Sequence, residues 1–118
     1  MEQRYIGQGW YPDSLKADKD KITLAIIRNE GKEIVIDYLY QRKELFIELK
    51  SKDGIFYEGY YSEGHYGESK EELGLIGSCT FELSKNGEKC ILDGGYASQQ
   101  EGMGSWHIEL EPESNQRT

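Results

Sequence analysis

The sequence predicts an all-β fold, an antiparallel up-and-down meander that closes into a small barrel of about eight strands. Stretches rich in β-branched and aromatic residues alternate between apolar and polar with a period of two, the signature of half-buried strands. Between them, Asn29-Glu30-Gly31, Arg42-Lys43, Lys52-Asp53-Gly54 and Asn86-Gly87 stand at hairpin spacing. The registers these turns imply keep the apolar residues of successive strands on one face, and a one-residue slip would carry them into water.

A short strand around Tyr5 to Tyr11 opens the chain, and residues 12–20 read as a charged connector. Ile22, Leu24 and Ile26 then alternate with Thr23, Ala25 and Ile27. Asn29-Glu30-Gly31 suits a type I turn closed by a left-handed glycine, which places Ile26 opposite Ile34 and Leu24 opposite Ile36. In the next strand Ile34, Ile36, Tyr38 and Tyr40 share the inner face. Arg42-Lys43 contains no strong turn former, but a tight turn there pairs Tyr40 with Leu45 and Tyr38 with Ile47. Lys52-Asp53-Gly54 repeats the glycine-closed loop and sets Leu49 against Tyr57 and Leu45 against Tyr61.

Glu63 to Glu72 interrupts the rhythm as a long polar loop, with capping-box spacing at Ser69-Lys70-Glu71-Glu72 that suits one helical turn. A strand from Leu73 to Ser84 follows, with Cys79, Phe81 and Leu83 inward. Asn86-Gly87 as a two-residue turn pairs Leu83 with Cys90 and Cys79 with Gly94. Gln99 to Gly104 reads as a second loop, and Trp106, Ile108 and Leu110 form the last strand. Pro112 ends it, leaving residues 112–118 as a polar tail on a single domain spanning residues 1–118.

Gly59, Gly77, Gly94 and Gly95 fall inside strands, where glycine permits sharp coiling or close backbone approach. That favours a closed barrel over a sandwich, and closure removes exposed edges. An eight-stranded barrel is either filled by its side chains or holds one small ligand. The expected inward residues include Tyr38, Tyr40, Tyr57, Tyr61, Tyr96 and Trp106, whose hydroxyl and indole groups need partners when buried. They either bond backbone and water within a filled interior or line a ligand pocket, where Arg42 would supply a cation for a phosphate or carboxylate.

A net charge of −8 opposes general binding to long nucleic acids, which requires a basic surface. No apolar run reaches the ~20 residues of a membrane-spanning helix, and Met1-Glu2-Gln3-Arg4 does not resemble a signal peptide. A cytoplasmic protein, or a soluble domain of a larger chain, is expected. Cys79 and Cys90 lie too far apart on the expected ladder to bridge, and are read as reduced, buried thiols.

Catalytic patterns are missing from the sequence. His65 falls in the polar loop, and His107 points outward between Ser105 and Glu109 with no ligand residues at zinc spacing. Glu48, Glu58 and Asp93 are outward, so no inward carboxylate pair supports glycoside hydrolysis. Gly7-Gln8-Gly9 lacks the strand-to-helix context of a dinucleotide fingerprint. No metal or cofactor is expected, and a binding module is favoured over an enzyme.

Gly9-Trp10 early in the meander, with Trp106 near its end, resembles the calycin superfamily of lipocalins and avidins, although lipocalins separate the glycine and tryptophan by one residue. The resemblance implies a barrel with a ligand in its mouth. Ser78-Cys79-Thr80-Phe81-Glu82-Leu83, Leu92-Asp93-Gly94-Gly95-Tyr96 and Gly104 ahead of Trp106 and Ile108 are similar to another family. These are the β-barrel sensor domains of membrane-anchored effectors in bacterial cyclic-oligonucleotide antiphage signalling. That resemblance implies a cyclic-nucleotide ligand and an isolated sensor domain or free sponge; the acidic charge opposes an anionic ligand unless Arg28, Arg42 or Lys43 lines the pocket.

The leading expectation is therefore a non-enzymatic barrel binding a small aromatic or nucleotide-like ligand through Tyr38, Tyr40, Arg42, Tyr57, Tyr61, Tyr96 and Trp106. The alternative is an acidic protein-binding module, an immunity protein or inhibitor, that covers a basic partner with Glu44, Glu48, Glu58, Glu63, Glu68, Glu71 and Glu72. Homodimerisation is compatible with either, with no residue specifying it.

Overall fold

The computed structural model describes residues 2–13, 19–40, 43–63, 74–100 and 102–113. Eight strands run in order: β1 Gln3–Trp10, β2 Asp20–Arg28, β3 Glu33–Tyr40, β4 Lys43–Ser51, β5 Phe56–Glu63, β6 Gly74–Asn86, β7 Lys89–Ser98 and β8 Gly102–Pro112. Each pairs antiparallel with the next, and β1 pairs with β8 from Tyr5–Pro112 to Trp10–His107, so the sheet is a closed barrel. The expected meander is observed. The expected helical turn at residues 69–72 lies outside the described residues, and the loop before β8 is shorter than expected, because Gly102 already pairs with Ser98.

Face assignments hold in most strands while the registers move by two residues. Tyr38 faces Leu45, Ile47 faces Tyr61, and Leu83 faces Leu92. A shift of two preserves which face each residue occupies, so the alternation survives. The last hairpin shows the cause: its central residues are Gly87-Glu88, with Asn86 paired to Lys89. Gly87 has φ 65 while Glu88 is not left-handed, the combination of a type II′ turn.

β2 differs in face as well. A bulge between Ile22 and Leu24 inserts one extra residue, so Ala25 and Ile27 turn inward with Ile22, and Leu24 and Ile26 turn outward. Ile26 pairs with Val35, and with Phe46 and Leu24 they form an apolar patch on the outside of the barrel. The β2–β3 loop accommodates the new register with three consecutive left-handed residues, Asn29 (φ 55), Glu30 (φ 57) and Gly31 (φ 83). Arg28 Nε donates to Glu33 Oε2 at 3.0 Å across its base.

Inside, Ile22, Ile34, Ile36, Ile47, Leu49, Leu92, Ile108 and Leu110 are fully buried. Each such side chain contributes on the order of 1.5–3 kcal/mol by leaving water. The adjacent strand β6 excludes a side chain at Gly94 of β7, where an ideal Cβ would lie 1.8 Å from the Thr80 carbonyl oxygen. The expectation of close approach at this in-strand glycine is met. Cys79 and Cys90 are free and buried, and burial pushes the Cys79 thiol up to about 12.

The closing seam is fastened on its outer side. Trp10 of β1 lies 4.4 Å, centroid to centroid, from its ladder partner His107 of β8, and Lys19 Nζ sits 4.5 Å above the Trp10 ring. His107 contacts Asp93 of β7 through Nδ1 and Glu109 through Nε2 at 3.0 Å. Asp93 reaches it across the ladder, which residue spacing alone did not reveal. The two carboxylates hold opposite ring nitrogens, and no described group of three acidic, histidine or cysteine side chains forms a metal site.

Partial burial works against a charge on His107, but hydrogen bonds and charge from Glu109 and Asp93 outweigh it and raise its pKa above 6.5. A raised folded-state pKa adds stability that is complete below 6.5 and is lost as pH climbs through the folded value. Thermal unfolding should therefore show a higher melting temperature near about pH 6 than near about pH 8. His107→Gln should flatten that difference; an unchanged slope would mean the seam does not depend on the imidazolium.

Candidate functional site

β1, β3, β5 and β7 end at one rim of the barrel, where β2, β4, β6 and β8 begin. Below it opens a cavity of about 970 Å³. Its buried and half-buried walls are Tyr11, Tyr40, Leu45, Tyr61, Ile76, Tyr96 and Trp106, and Lys43, Glu63, Ser78, Ser98, Gln99 and Gln100 lie around the opening. Trp106, only 1 % exposed, forms the floor between the cavity and the filled interior. Tyr61 stands edge-on to it at 5.4 Å and 81°, and Tyr96 at 6.0 Å and 88°.

These rings are held by the pairing of small residues with large ones. A Cβ on Gly104 would meet the Tyr96 ring at 2.7–2.9 Å, and one on Gly77 would meet Tyr61 Oη at 2.9 Å. The phenol end of Tyr96 and the hydroxyl of Tyr61 thus occupy space that only glycine leaves open, and a Cβ at Gly77 would also meet the Ala97 carbonyl oxygen at 2.3 Å. Trp106 Nε1 is buried with no hydrogen-bond acceptor in ordinary geometry among the described residues.

Of the residues expected in a ligand site, Tyr40, Tyr61, Tyr96 and Trp106 are brought together here. Tyr38 sits beneath, edge-on to Trp106 at 5.3 Å, and donates its hydroxyl to Asp20 Oδ2 at 2.7 Å. Burial first, then Tyr11 and Asp20, hold that hydroxyl protonated well beyond the ordinary tyrosine range. Tyr57 is at the other end of the barrel. β5 runs from the far end to the mouth, so four residues separate Tyr57 from Tyr61 by about 13 Å. Its hydroxyl donates to the Gly31 carbonyl and, at 3.3 Å, to that of Gly54, pinning two hairpin loops. Both Tyr38 and Tyr57 are committed to holding the fold.

Arg42 lies outside the described residues. Arg28 is at the far end, bonded to Glu33, so among the described residues Lys43 is the cation of the mouth and Glu63 its anion. Of the acidic candidates, Glu58 is set against Lys50 in the ladder, and Glu68, Glu71 and Glu72 lie outside the described residues. The residue missed in the sequence is Tyr11. Its signal was present, since Tyr5, Gly7, Gly9 and Tyr11 share one parity, and Tyr5 is a buried core residue.

What the site offers is aromatic surface with hydroxyls and amides at its edges and little net charge. That suits a small planar molecule able to stack and hydrogen-bond in its plane. Gly104→Ala should displace the Tyr96 ring from the wall. The near-ultraviolet circular dichroism should change while the far-ultraviolet spectrum stays β-rich; an unaltered aromatic spectrum would mean the ring is not seated on that glycine.

No protein-family model, curated protein or solved structure matches the chain at a significant level. An eight-stranded antiparallel barrel is consistent with the calycin resemblance, and the family likenesses stand as resemblances.

Proposed function

We propose that the chain is a non-enzymatic barrel that binds a small planar aromatic ligand, nucleobase-bearing ligands included, in the mouth above Trp106. The observation that carries the reading is the convergence of Tyr40, Tyr61, Tyr96 and Trp106 on an open cavity of about 970 Å³ above a packed middle, whereas the cavity at the far end, about 500 Å³ beside Tyr5 and Tyr57, has no such cluster of rings. A filled barrel needs no such concentration of polar aromatics at one end; stacking on a ligand does.

Cyclic nucleotides are the finer form of this proposal, following from the likeness to sensor barrels, and would make the protein a second-messenger sensor or sponge in phage defence. Lys43 supplies one cation for such a ligand, with Glu63 beside it in the same cavity. Neutral heteroaromatics suit that balance better than multiply charged ones.

Thermal unfolding across cyclic oligonucleotides, mononucleotides, free nucleobases and apolar heteroaromatics tests the proposal. A ligand at about 100 times its dissociation constant adds about 2.7 kcal/mol, a shift on the order of 10 °C for a domain of this size. For a ligand so found, Tyr40→Phe and Tyr61→Phe should each weaken binding by about 1 kcal/mol, or roughly fivefold. Unchanged affinity in both variants would place the ligand elsewhere.

A further inference from the structure

Tyr11 occupies the position a ligand ring would take. Its ring lies against Trp106 at 5.4 Å with only 28° between the planes. Tyr40 and Tyr96 each meet it at 5.5 Å, at 83° and 82°. One stacked face and two perpendicular neighbours is the geometry in which aromatic side chains hold a planar guest. Here the guest belongs to the protein.

Tyr11 stands just past the end of β1, two residues before Asp13, whose Oδ2 accepts from the Ser105 N–H at 3.2 Å. The tyrosine lies beyond the last ladder pairs of β1, which are Gly9 with Asp20 and Trp10 with His107, and Pro12 follows it. Moving its side chain out of the mouth therefore separates no pair of strand residues. Tyr11 is half-buried and lines the cavity, whereas Trp106 and Tyr61 are buried.

We propose that Tyr11 is a built-in occupant of the ring site, and that the aromatic ring of a ligand binds by taking its place on Trp106. The inference rests on the mouth being a binding site and adds the ligand's size and the site's regulation. The guest is a single ring of about phenol dimensions, or the ring portion of something larger, and the free protein competes with it. Apparent affinity is then reduced by the fraction of molecules in which Tyr11 has left the cage.

The test uses Tyr11→Ala and p-cresol, the Tyr11 side chain as a free molecule, with 4-methylcyclohexanol as a non-planar molecule of similar size. An apolar cavity the size of a ring binds small aromatics. Calorimetric titration should show p-cresol binding Tyr11→Ala at least about tenfold more tightly than the unaltered chain. It should also raise the melting temperature of the variant, and 4-methylcyclohexanol should bind several-fold more weakly, because stacking on Trp106 requires a flat face.

Equal binding of p-cresol to both proteins would overturn the inference but leave the mouth as a binding site, with the ring seated beside Tyr11. Equal binding of p-cresol and 4-methylcyclohexanol to the variant would also overturn it, reducing Tyr11 to a filler. No binding of p-cresol to the variant, together with no shift across the ligand panel, would remove both readings. Should Tyr11→Ala not fold alone, recovery of cooperative unfolding on adding p-cresol supports the inference. Tyr11→Leu, which keeps much of the volume without the flat ring, then replaces it in the titration, with the same expected ranking.

Discussion

Closure of the sheet through β1 and β8 is the constraint from which the other features follow. A meander of eight strands has two edges unless its ends meet, and here they pair from Tyr5–Pro112 to Trp10–His107. Closing so small a sheet forces strong coiling, to which the bulges in β2 and β6 contribute. The coiling also tightens neighbouring strands, and glycine is required at Gly94 of β7, where a Cβ would meet the Thr80 carbonyl of the adjacent β6. Once closed, the interior has a fixed cross-section, and each inward side chain must fit the space left by the others.

The barrel answers that packing problem differently along its length. Through the middle it uses aliphatic side chains with no polar atoms to satisfy. At the far end Tyr57 extends its hydroxyl to loop carbonyls, and Tyr5 donates to Gln3 Oε1 at 2.9 Å. Toward the mouth, aromatic rings replace aliphatic chains, and Tyr38 meets Asp20 just below Trp106. Among the described inward tyrosines, Tyr5, Tyr38 and Tyr57 are seen to anchor the structure through their hydroxyls, and the rings of Tyr11, Tyr40, Tyr61 and Tyr96 bound the cavity. Tyr11 belongs to the second group through three ring contacts.

Charge and reactivity limit the chemistry. The buried thiol of Cys79 is held protonated by its apolar surroundings, a poor state for nucleophilic attack. His107 carries its carboxylate partners on the outer wall at the seam, away from the residues that line the mouth cavity. The mouth itself contributes aromatic faces, amides and hydroxyls, groups suited to holding a molecule.

Alternation of apolar and polar residues was enough to determine the antiparallel strands, the inward face of most of them, and the inward set that contains Tyr40, Tyr61, Tyr96 and Trp106. The reason is that strand parity is a local property, set by the period of the backbone. Register was less legible, because several turn placements preserve the same parity: Gly87-Glu88 satisfies the last hairpin as well as Asn86-Gly87 would. The bulge at Ile22–Leu24 was invisible for the opposite reason, since one inserted residue reverses the parity and Leu24 and Ile26 are as apolar as Ala25 and Ile27. Height within the barrel depends on strand direction and register together, and it separated Tyr57 from the mouth. Tyr11 became part of the cage only when closure set β1 beside β8 and carried its ring onto Trp106, a contact between residues at opposite ends of the chain that no local pattern encodes.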